Sequence, residues 1–144
     1  MDEKMQRLAD KRLKEGWIKS GMIIEVLAID REAAQSALKK HVEKMEKEED
    51  TMILGREFHE AKAVSKPLPN IEKAYSQIVD VEVLTRNFDQ LVRVVVSYAP
   101  SSVEILEPER LSMDMGEAQG ILNSIAEIIH KFAAAGIGGV MVST

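Results

Sequence analysis

The chain predicts an α+β fold, a ferredoxin-like (split βαβ) plait with an additional N-terminal helix. Three observations carry that reading. Val79, Val81 and Val83 alternate with Asp80 and Glu82, the period-2 pattern of a strand with one buried face. Residues 22–29 are an apolar run of strand length, followed by a capped amphipathic stretch, which together make a β–α unit. Residues 114–135 repeat apolar side chains at helical spacing. At 144 residues the chain has the size of a single domain that can bury a real core. Residues 1–16 read as an N-terminal helical arm and 17–144 as the α+β body.

Taken in order, residues 2–15 place Met5, Leu8, Ala9 and Leu13 on a thin stripe. So narrow a face marks a short helix that needs a docking surface. Gly16 suits its stop. Trp17, the single tryptophan, is expected with Ile18 to anchor the arm to the body. After the strand at 22–29, Asp30 is placed to cap a helix over 31–48. Ala34, Leu38, Val42 and Met45 share one face of it, with Ala37 and His41 on the flank. Residues 56–65 read as a strand of poor alternation and 66–70 as a loop set by two prolines. Residues 71–77 fit either loop or strand.

Residues 78–100 read as an antiparallel hairpin. Its second run, 91–98, is apolar at nearly every position, so it is expected in the middle of the sheet, covered on both faces. Pro100 ends it, because proline cannot donate to a ladder. Residues 103–106 form a short extended piece. In the helix over 114–135, Leu122, Ile125, Ile129 and Phe132 are expected to pack on a sheet containing Val79, Val81, Val83, Val92, Val94 and Val96. Asp114 and Glu117 resemble a capping box, and Gly136 with Phe132 and Ile137 suits a Schellman stop. Residues 139–143 are expected to close the sheet, giving the order βαββαβ when 56–65 is set aside.

Composition excludes several functions. The chain has no cysteine, hence no disulfide, thiol nucleophile or thiolate metal site. Neither a signal peptide nor a spanning segment is visible, which points to a cytoplasmic protein with no membrane role. Abundant Glu and Lys without Cys suit a thermophile. The net charge is −5 and the lysines of 39–47 are interleaved with glutamates, so no basic stripe offers itself to nucleic acid.

Candidate chemistry is sparse. His41 borders an apolar stripe and His130 lies on a polar side, as packed and solvated histidines do. Glu57 and His59 would share one strand face at a spacing that can hold a divalent metal. The competing reading is an ordinary polar strand, since no HxH, HxxxH or HExxH motif adds ligands. Asp80 and Glu82 also share a face. Paired carboxylates can serve as acid and base, but the solvent side of an amphipathic strand accounts for them better, because the opposite face is pure valine. The glycines of 135–142 follow a helix rather than opening one, at its negative end, where a phosphate is not held. No serine sits in a GxSxG elbow. No cofactor and no catalytic centre are therefore expected, unless His59 and two carboxylates converge on one point.

On the last helix, Gly116, Gly120, Asn123, Ser124 and Glu127 lie opposite the apolar stripe. A mid-helix glycine costs about 1 kcal/mol against alanine, so these residues are a candidate contact with a neighbouring subunit, and free sheet edges are another. The competing reading is a tolerated solvent face. In architecture the chain resembles small plait modules such as ACT domains, and that resemblance implies oligomers with small effectors bound between subunits. The glycine-bearing turn of those domains is replaced by Ile29-Asp30-Arg31. The expectation is a non-enzymatic, self-associating module, a dimer, with a structural or regulatory role. Two alternatives stand beside it: a sensor for a metal or small-molecule effector near a subunit interface, and an enzyme using Asp80 and Glu82.

Overall fold

The computed structural model describes residues 2–135. Along these residues run α1 (Glu3–Lys14), β1 (Ile18–Ala28), α2 (Arg31–Glu46), β2 (Thr51–Phe58), β3 (Lys62–Leu68), β4 (Ile71–Thr85), α3 (Phe88–Tyr98), β5 (Ser102–Glu107) and α4 (Met115–Ala134). The strands make one antiparallel sheet in the order β2-β4-β1-β5, with β3 also paired to β4. β4 is the spine. β1 runs along one of its edges, while β3 and β2 occupy successive stretches of the other, opposite Ile71–Ser76 and Val79–Thr85 respectively. The architecture is mixed α+β and compatible with a plait.

α2 follows the sequence pattern closely. Asp30 accepts a 2.7 Å hydrogen bond from the Ala33 amide, satisfying a donor that the first turn leaves orphaned. Ala34, Leu38, Val42 and Met45 are all fully buried. Leu38, Val42 and Met45 meet Ile18, Met22 and Ile24 of β1, Ile53 of β2 and Val79, Val81 and Val83 of β4 in the main core.

Two expectations about the later chain are corrected. Residues 91–98 are a helix, not a central strand, so the expected hairpin does not form and Val92, Val94 and Val96 are not in the sheet. Asn87 caps this helix by accepting from Gln90 N at 2.8 Å, and Asp89 stabilises the positive end of its first turn. Leu91, Val94 and Tyr98, at helical spacing, are buried on the sheet beside α2. That burial outweighs the modest β preference of a valine run. His41 on α2 locks the pair together. Its Nε2 lies 2.9 Å from the Tyr98 carbonyl oxygen, and the two rings meet edge to face at 5.1 Å.

α4 is capped as expected, with Asp114 accepting from the Glu117 amide at 2.8 Å. It packs on α3 rather than on the sheet. Its buried residues are Ile121, Ser124 and Ile128, whereas Leu122, Ile129 and Phe132 are exposed and Ile125 is half-buried. The extended piece expected at 103–106 is β5, the last strand in chain order among the described residues. The strand expected at 139–143 and the Schellman stop at Gly136 lie outside the described residues.

The segment read as one strand over 56–65 is divided between β2 and β3, and β3 continues through the stretch read as a proline-set loop. Pro67 is tolerated there because β3 is an edge strand. The turn falls at Pro69 and Asn70, and the ambiguous 71–77 opens β4.

Among the described residues, the second face of the sheet is covered only at one end. Ile53 faces the main core and Leu54, the next residue, faces the other way by ordinary alternation, while the register shift between Ile53 and Gly55 keeps Gly55 on the side of Leu54. Leu54 and Leu84 meet Ala9 of α1, with Leu13, Trp17 and Met52 around them. Arg12 lies 4.5 Å over the Trp17 ring. The arm is thus anchored through Trp17, as the sequence pattern expects, and the described residues leave the remainder of this face open.

Candidate functional site

On the open face the register sets two rows across the sheet. Glu57, Asp80, Ile23 and Ser102 make one, and Gly55, Glu82, Gly21 and Glu104 the next. The glycines leave the floor low between carboxylate walls, forming a trough of about 410 Å³. Lys19 crosses its end, 3.2 Å from Glu82 and 3.8 Å from Glu107.

Beside the trough, His59 joins Glu57 and Asp80. One potential ligand atom from each of the three lies within 4.8 Å of the others. His59 Nε2 is 2.5 Å from Asp80 Oδ2. Glu57 and Asp80 are direct partners across the β2–β4 ladder. Like charges in that position repel, a cost that a bound cation would relieve. Arg56, the nearest arginine in sequence, points its guanidinium at Glu46 of α2 instead.

The histidine is held by its backbone. Between β2 and β3 the chain leaves regular pairing at residues 59–61. Three hydrogen bonds pin this interruption. The His59 amide donates to the Ile78 carbonyl at 2.9 Å, Gln77 Nε2 donates to the His59 carbonyl at 2.8 Å, and Arg31 Nη1 donates to the Ala61 carbonyl at 3.1 Å. Gln77 is itself buried. Arg31 also lies 5.1 Å over the Tyr75 ring. The phenol there is held below its usual pKa by the hydrogen bond and charge of Lys73, with a smaller contribution from Arg31.

Of the residues singled out from sequence, Glu57 and His59 do share a face, and the register adds Asp80 as a third potential ligand. Glu82 remains on the same face, in the trough, bridged by Lys19. Local spacing could not pair Asp80 with His59, because they stand 21 residues apart and meet only through the β2–β4 register. Gln77 and Arg31 escape sequence reasoning altogether, since neither carries a motif. The last-helix group is divided. Ser124 is buried, with its hydroxyl donating to Asp89 Oδ1 at 2.6 Å, while Gly116, Gly120, Asn123 and Glu127 are exposed.

A family model described as the MJ0538 family matches residues 19–143. The chain belongs to the MJ0538 family. The match includes the trough and its adjoining triad, so these features sit in the part shared with the MJ0538 family model. Neither the curated proteins nor the solved structures include a significant match. Among the described residues of this MJ0538 family member, no helix is long and apolar enough to cross a membrane.

Chemically, one imidazole and two carboxylates form a mixed N/O donor set suited to borderline divalent ions such as Zn²⁺ or Mn²⁺. Three protein ligands leave a position for water or an incoming group. All three side chains are solvent-exposed.

Proposed function

We propose that this protein is a regulatory module that binds a divalent cation reversibly through Glu57, His59 and Asp80, the convergence of His59 with two carboxylates that the expected absence of a reactive centre had excepted. The observation that carries the proposal is the meeting of three potential ligand atoms within 4.8 Å on strands pinned by Gln77 and Arg31. Exposure of the triad favours a responsive site over a permanent structural one. The trough alongside it offers room for a small effector to complete the coordination.

The body is read as a split-βαβ plait. Support comes from counting β2 and β3 as one interrupted strand. The successive strands then lie in the spatial order 4-1-3-2, with α2 and α3 as the two crossover helices on the covered face.

Thermal melts with and without Zn²⁺, Mn²⁺ or Co²⁺ test the function. The melting temperature should rise with cation and return with a chelator, since binding the native state alone stabilises it by mass action. His59→Ala and Asp80→Asn should each abolish the rise. An equal rise in His59→Ala would sink the assignment.

A further inference from the structure

We propose that the outward face of α4 is the contact surface for a second copy of this chain. The helix has two apolar sides. Ile121, Ser124 and Ile128 are turned to α3 and buried. On the other side Met115 is 81% exposed, Leu122 62%, Ile129 54% and Phe132 40%. With half-buried Ala118 and Ile125 between them, these residues fall at 115, 118, 122, 125, 129 and 132. The intervals alternate strictly between three and four, which is a heptad a/d repeat. It is the period that keeps one seam facing a partner helix over several turns.

The occupant is identified by chemistry. The six seam residues carry no charge, so two chains of net charge −5 can meet there without opposing like charges. The flank away from α3 is Gln119, Ala126 and Ala133. Small residues let a second backbone approach, and the absence of charged residues there removes the usual means of selecting a different helix. The helix's own charges lie off the seam, with Glu127 and Lys131 paired at 3.1 Å. A membrane surface is a poor alternative, because interfacial helices flank their apolar side with Lys and Arg, and α4 holds a single lysine and no arginine. Sheet-edge pairing is also disfavoured. β5 carries Glu104 and Glu107, and the β2–β3 side carries Arg56, Glu57 and Lys62, the charges by which edges resist pairing. A self-complementary seam closing by twofold symmetry is the remaining match.

Light scattering on a size-exclusion column at micromolar concentration tests this. The full chain should give at least twice the 16.1 kDa chain mass. The double variant Leu122→Glu/Ile129→Glu should give 16.1 kDa while keeping its far-ultraviolet circular dichroism. Asn123→Lys/Glu127→Lys, off the seam, should keep the assembled mass. A wild-type mass of 16.1 kDa overturns the proposal, and is also the result expected if the chain's own residues 136–144 or a different protein cover the seam. Retention of the assembled mass by the folded double variant overturns it as well. Should that variant fail to fold, Leu122→Asn alone decides: association weakened by about tenfold or more, as for a central interface residue, supports the seam, and unchanged association refutes it.

Discussion

On the covered side of β4, Val79, Val81 and Val83 lie under α2 and α3, none more than 3% exposed. The residues between them, Asp80 and Glu82, belong to the same strand and face the open trough with its triad. Alternation alone assigns the side chains to the two faces, and the helices then decide which face is dry. The covered side carries most of the stability, because its side chains have left water. The open side keeps carboxylates and an imidazole hydrated, so they are free to exchange one polar partner for another. Stability and the proposed ligand chemistry thereby fall on opposite sides of one strand.

The largest effect expected from this division is on the covered side. Leu38→Ala removes a fully buried side chain of α2 and should cost about 2–5 kcal/mol in urea melts. Ile23→Ala, on the open face and 36% exposed, should cost less than about half as much. Equal losses would break the distinction between the faces.

Loading the open side should change its contribution. A cation present at about a hundred times its dissociation constant should add roughly 2.7 kcal/mol to the stability. His59→Ala should remove that increment and leave the metal-free stability nearly as it was. Because a ligating histidine must be neutral and a ligating carboxylate ionised, the increment should shrink as pH falls. An increment that grows on acidification would exclude the triad as the site.

At the margin of the covered side, Tyr98 donates a 2.6 Å hydrogen bond to Glu48. Burial first, and then this bond, raise the phenol's pKa above its ordinary value. The unfolded phenol therefore loses its proton first, near pH 10. This share of stability is intact below that pH and declines as the pH rises further. Tyr98→Phe should cost about 1–2 kcal/mol at neutral pH, the usual range for a hydrogen bond to a half-solvated charge. It should also flatten the alkaline decline, and a variant whose decline matches the wild type would contradict the assignment.

The smallest effect belongs to Asp80→Asn without metal. It removes one of two carboxylates facing each other across the ladder, and stability should move by no more than about 0.5 kcal/mol in either direction. A loss of several kcal/mol would mean that the triad is structural.

Elements whose signals are local are legible in the sequence. Asp30 and the stripe Ala34, Leu38, Val42, Met45 define α2; Asp114 and a helical apolar period define α4; and the valine alternation defines half of β4. It also placed Glu57 and His59 on one face. Tertiary structure decided the rest. The run at 91–98 is apolar enough for strand or helix, and burial of Leu91, Val94 and Tyr98 beside α2 selected helix. α4 has apolar residues around more than one side, and only the position of α3 determines that Ile121 and Ile128 turn inward while Leu122 and Ile129 turn out. Asp80 reaches His59 because β2 pairs with β4 in one particular register. Hydrogen-bonded turns and helical periods are properties of neighbouring residues. Register and helix docking are settled by free-energy differences between packings of the whole chain, which no local window contains.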